Sequence, residues 1–195
     1  MRPIILAVFL SVVVIAGVTG NAAAPTPILD DDRYLLSGPG PLAYTCDAPP
    51  GKFNQVHAVA AGDHVVVTGN IHIVTMHPTP VYTGVTFVGF YNKKSKRTVA
   101  LQLLATISVP GKISFSILNG DLPSNASVFA EQPNKVSDFP FTIRLDQGKV
   151  SISVAGVAIR SRARPSELNG LTLGCGGAHV EYTNVVIAVP QQVNE

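Results

Sequence analysis

The chain has 195 residues, about one domain's worth of sequence and enough to bury a good core. Charged residues make up only 13% of it, about half the usual share, while Val, Ile, Thr and Ser abound and Trp is absent, so the composition favours sheet over helix. The formal charge of +2 carries no electrostatic footprint for nucleic acid, which excludes that class of partner.

At the N-terminus Met1-Arg2 precedes an apolar run from Ile4 to Ala16, followed by the small residues Val18-Thr19-Gly20 and Ala22-Ala23-Ala24. This pattern predicts a secretory signal peptide over residues 1–20, cleaved between about 20 and 24. The alternative is an uncleaved anchor, although the run is shorter than the ~20 apolar residues a spanning helix needs. No second stretch of spanning length follows, so no membrane partner is expected after cleavage. Export places Cys46 and Cys175 in an oxidising compartment, where they read as a disulfide joining neighbouring N- and C-terminal strands, or else as two buried free thiols.

Residues 21–50, rich in Pro, Gly and Asp, read as an irregular entry to a folded domain over 51–190. Strands are expected at 53–59, 63–69, 71–75, 84–91, 97–104, 112–118, 139–145, 149–154, 157–161, 169–173 and 179–189, separated by turn residues such as Gly69-Asn70 and Pro110-Gly111. The clearest is the stretch FPFTIRLDQGKVSISVAG (139–156): Phe139, Phe141, Ile143 and Leu145, then Val150, Ile152 and Val154, point to one side across the turn Asp146 to Lys149. Such alternation makes an antiparallel hairpin with one buried face. Its polar face, with Thr142, Arg144, Ser151 and Ser153, names no ligand. Many short strands at this spacing mean an all-β sandwich or barrel.

Nucleophile elbows, phosphate-binding loops, zinc-protease helices and paired Cys-x-x-Cys motifs are absent, and no strand offers two acids to one cleft. The chain therefore reads as a non-enzyme without cofactor, catalytic residues or metal site. Of its five histidines, His72 and His77 lie near each other in sequence but lack an acid or Cys to complete a metal set. The basic run from Lys93 to Arg97 reads as a charged hairpin tip that discourages edge pairing. Arg160, Arg162 and Arg164 alternate onto one face, suited to solvent or to an acidic glycan, and Gly174 to Gly177 reads as a tight turn. Asn125-Ala126-Ser127 is the one acceptor sequon, so Asn125 is the expected glycosylation site in a eukaryotic exported chain.

The segments GDHVVVTGNI (62–71), TVALQLL (98–104), VFAEQ (128–132) and FTIRLDQGKVSISVAGVAI…LNGLTLGC…VEYTNVVI (141–187) together resemble a galectin domain over about 55 to 189. The resemblance implies a two-sheet antiparallel β-sandwich, a galectin-like jelly roll with adjacent terminal strands, and a glycan or glycoprotein as partner. The family's galactoside set falls on Gln102, Leu104 and Thr106, then Ser116, then Val128, Glu131 and Pro133, and only Glu131 matches. Each missing hydrogen bond to a charged group costs about 1 to 3 kcal/mol, and the lost stacking indole about 1 more, so ordinary lactose affinity is expected to be absent. Gln102 remains as a donor to a sugar hydroxyl and Phe129 as a ring beside the site. The implied function is a secreted carbohydrate-binding module with a divergent site; the alternative is a secreted protein-interaction module on the same fold.

Overall fold

The computed structural model describes residues 34–35, 41–60, 64–92, 97–120, 126–162, 168 and 170–189. The predicted signal peptide and the acceptor Asn125 lie outside these residues. Eleven strands follow in order: β1 (Tyr34–Leu35), β2 (Leu42–Val59), β3 (His64–Met76), β4 (Gly84–Asn92), β5 (Arg97–Ala105), β6 (Lys112–Gly120), β7 (Ala126–Pro133), β8 (Asp138–Asp146), β9 (Lys149–Val154), β10 (Val157–Arg162) and β11 (Gly170–Ala188). No helix occurs among the described residues, and the class is the antiparallel two-sheet jelly roll that the sequence predicts.

Two long strands belong to both sheets. Residues 170–176 of β11 lie between the second half of β2 and β4, and β5, β6 and β7 continue outward from there. Residues 178–188 of β11 lie instead beside β3, with β8, β9 and β10 beyond, while the first half of β2 follows on the other side. The crossing from one sheet to the other falls at a register shift between Gly176 and Ala178, where Gly177 has φ +56°, opposite Gly51 at φ +75°. Such dihedrals cost little only in glycine, so the bend is written into both strands.

The core fills the space between the sheets. Val99, Leu101 and Leu103 of β5 and Phe115 of β6 face Phe139, Ile143 and Leu145 of β8 and Ile152 of β9 in one buried cluster. The Phe115 and Phe139 rings meet edge-on across the two sheets at 5.6 Å. At the bend, the buried Tyr182 hydroxyl lies 2.5 Å from the Gly174 carbonyl and 2.5 Å from Thr86 Oγ1, and accepts from the Gly174 N–H at 3.2 Å. This ties the second half of β11 back to its first half. The Cys46–Cys175 disulfide is formed and fully buried, joining β2 in the second sheet's half to β11 in the first sheet's half.

Several expected boundaries are corrected by this pairing. Strand β2 starts at Leu42, so residues 42–50 are strand rather than irregular, and Pro49-Pro50-Gly51 marks the bend inside it. Gly69-Asn70 is not a turn: β3 runs straight through it, paired with Phe141 and Pro140, because the Phe141 ring lies where a Cβ at Gly69 would sit. Gly174 to Gly177 likewise lies inside a 19-residue strand, its glycines making room for the aromatic rings described below. Strand β7 was not expected, since a register shift between Phe115 and Ser116 leaves both Phe129 and Ala130 against the core and breaks the alternation.

Candidate functional site

The outer face of the first sheet is not simply solvated. Cross-strand register lays its side chains out in rows: Phe53, Gly176, Val85, Leu104; then Gln55, Gly174, Phe87, Gln102, Ser116, Val128; then His57, Thr172, Gly89, Ala100, Leu118. Glycines and alanine take the middle of the sheet, and large residues stand on either side. The result is a groove of about 920 Å³, within the range of small-molecule and sugar sites.

Aromatic rings cover the glycines. A Cβ on Gly174 would lie 2.4 Å from the Phe87 ring, and one on Gly176 would lie 2.6 Å from the Phe53 ring. On the far side the His57 and Tyr91 rings stack at 4.3 Å, walling the groove beside Thr172. At the open end Tyr82 rests over Gly51 in the same way. Two of these rings are not packed away: Phe53 is 57% exposed and Tyr82 is 50% exposed. Large apolar faces left in water beside a groove mark a surface available for interaction.

Polar groups complete the lining. Gln102 is buried in the groove wall, and the Ser116 hydroxyl donates to its Oε1 at 3.1 Å, which orients the amide with Nε2 free to donate. Gln55 is exposed on the same row, beyond Gly174 and Phe87. Thr172 Oγ1 is buried with no hydrogen-bond partner among the described residues.

Of the residues singled out from sequence, Gln102, Leu104 and Thr106 line this groove, Ser116 stands behind Gln102, and Val128 is exposed on the same face. Phe129 does not flank the groove: it packs inward against Phe115, with ring centroids 6.2 Å apart. Glu131 lies toward the sheet edge, outside the lining, held by Lys112 Nζ at 2.8 Å. Of the alternating arginines, Arg160 is exposed on β10, whereas the Arg162 side chain and Arg164 lie outside the described residues. His72 is bonded through Nδ1 to Asp138 at 3.0 Å, and no group of three metal-ligating side chains occurs among the described residues. Sequence reasoning missed Phe53, Gln55, His57, Tyr82 and Tyr91. The available signal was the alternation Phe53-x-Gln55-x-His57, whose polar members point away from the core residues Val56 and Ala58.

No protein-family model and no curated protein sequence matches the chain. Solved structures share the fold. The CBM2 module of the evolved Dit protein of Lactobacillus casei BL23 phage J-1 aligns with TM-score 0.53 at 11% identity, covering 80% of this chain and 81% of that one. An alginate lyase from Alteromonas sp. 272 aligns with TM-score 0.53 at 12% identity, covering 84% and 90%. Sheep galectin-11 aligns with TM-score 0.40 at 10% identity, covering 73% and 100%, a likeness too slight to set galectins apart from other sandwiches. The chain thus has a β-sandwich of the kind found in a carbohydrate-binding module and in an alginate lyase, a fold that does not by itself decide between binding and cleavage.

Proposed function

We propose that this protein is a secreted carbohydrate-binding module that receives a glycan in the groove on the outer face of its first sheet. The observation that carries the reading is the pairing of two exposed rings, Phe53 and Tyr82, with the oriented amide of Gln102 along one groove. Rings supply the platform for the apolar face of a pyranose, and amides and hydroxyls bond its rim. The buried disulfide and the N-terminal leader pattern support export, and Asn125 is then a glycan acceptor of its own.

On this reading the protein binds rather than cuts, and it takes something other than lactose, because Leu104, Thr106 and Val128 stand where a galactoside site needs an amide, a guanidinium and an indole. A glycan array probed with the whole chain tests it. Hits are expected, and Phe53→Ala together with Tyr82→Ala should weaken them roughly tenfold while leaving the melting temperature unchanged, since stacking on each ring contributes about 0.5–1.5 kcal/mol. An array without hits would favour the protein-interaction reading.

A further inference from the structure

Gln102 offers the groove only one side of its amide. It is 7% exposed, between β4 and β6 on the groove lining. The Ser116 hydroxyl is fully buried, and among the described residues it bonds only to this amide. A buried hydroxyl with a single partner must give its proton there, since the reverse arrangement would leave an O–H without an acceptor, at the full cost of its desolvation. Ser116 therefore holds Oε1 toward β6, and Nε2, which has no partner among the described residues, is the atom left for a ligand. The lining around it is apolar: Leu104 follows on β5, Phe87 stands opposite on β4, and Val85 and Leu118 take two diagonals, while Ser114 on a third lies outside the lining.

From a single donor ringed by apolar side chains, we infer that the groove takes an oligosaccharide bearing acetamido groups, the acetyl carbonyl accepting from Gln102 Nε2 while the acetyl methyl packs against Leu104 and Leu118. This rests on the glycan-binding reading and deepens it. A sugar hydroxyl at the same place could accept from Nε2, but its own proton would face the apolar walls, and a carboxylate would bring a charge into them. A carbonyl has no proton to place, and the methyl gains from its burial. The exposed Phe53 stands three strands from Gln102 across the sheet. At the backbone that is about 14 Å, a span that calls for more than one sugar unit.

The test uses oligosaccharide pairs that match in length and linkage and differ only at carbon 2, acetamido against hydroxyl: N-acetylglucosamine against glucose, and N-acetylgalactosamine against galactose. On the glycan array the acetamido member of a pair should give the stronger signal. In calorimetry of the stronger pair with the whole chain, it should bind roughly tenfold more tightly, the combined effect of one hydrogen bond and one buried methyl. Gln102→Leu/Ser116→Ala removes the donor and its orienting hydroxyl together, so neither is left orphaned, and should cut the preference to about fourfold or less, the share of the methyl alone. Ser116→Ala by itself lets the amide turn, so the hydroxyl member should gain on the acetamido member, a change of ratio that a merely looser fold would not produce. Equal binding of the two members, or hits confined to sugars without acetamido groups, would overturn the acetamido inference and leave the groove as a site for other sugars. A full preference retained by the double variant would overturn the role of Gln102 and Ser116. An array without hits would remove the glycan-binding reading, and this inference with it.

Discussion

The two sheets are built from similar strands and treat their outer faces in opposite ways. In the second sheet, β8 and β9 alternate strictly between buried and open positions, so one face is core and the other meets water. In the first sheet, β4 is buried at nearly every position, because Phe87 and Tyr91 fold down over Gly174 and Gly170 on the outer side while Val88 and Phe90 face the core. A face that is half covered by its own aromatics, over a floor of glycines, becomes a groove. A face of Thr, Ser and Arg stays a solvated surface.

The largest effect should come from cutting what joins the sheets. The Cys46–Cys175 bridge closes a loop of 129 residues, and the double variant Cys46→Ala/Cys175→Ala is expected to lose about 4 to 5 kcal/mol in the chain-entropy account. Urea unfolding would measure it, and a loss under ~1 kcal/mol would mean the shared strands hold the sheets together unaided.

Next in size is the contrast between the two outer faces. A Cβ at Gly89 would sit 2.3 Å from Ala100 Cα, so Gly89→Ala should destabilise by about 1–3 kcal/mol through overpacking. Arg144→Ala, on the exposed face of β8, should stay within about 0.5 kcal/mol. Equal thermal shifts for the two variants would erase the distinction between the sheets.

Alkaline pH should report on the bend that both sheets share. Burial raises the phenols of Tyr44 and Tyr182 well above their ordinary value of 10.0, and for Tyr182 the hydrogen bond with Thr86 offsets only part of that rise. Because the folded values lie above the unfolded ones, the stability these groups carry is full below pH 10.0 and falls as pH rises beyond it. Tyrosinate absorbance from these two rings should therefore appear only with unfolding, and its appearance in a chain that keeps its far-ultraviolet sheet signal would contradict their burial.

The smallest effect belongs to the solvated face of the second sheet. Hydrogen bonds from Asn70 and His72 hold the Asp138 carboxyl below its ordinary value of 3.8. The depressed value means that its contribution is present above that pH and is lost as pH falls through the folded value. The group is exposed to solvent, so the effect is expected to be slight; an Asp138→Asn variant whose acid midpoint moved as far as that of the disulfide variant would contradict it.

What the sequence determined by itself was the alternation. Phe139 to Leu145 and Val150 to Val154 each have one apolar face, and period-two burial has a single solution, a hairpin on a core, so the all-β sandwich and the second sheet were legible residue by residue. Gln102 was singled out through the galectin resemblance, which marks its position, and not by any periodicity of its own strand. Only the tertiary structure decided the groove. Phe53, His57, Tyr82 and Tyr91 come from β2, the loop before β4 and β4 itself, and they meet because β2 and β11 bend from one sheet into the other. Glycines that look like turn residues in sequence prove to be strand residues, since what makes Gly69, Gly174 and Gly176 necessary is a ring from a neighbouring strand pressed against them. A contact between strands distant in sequence leaves no periodic trace along either one, which is why the floor of the groove could not be read before the strands were paired.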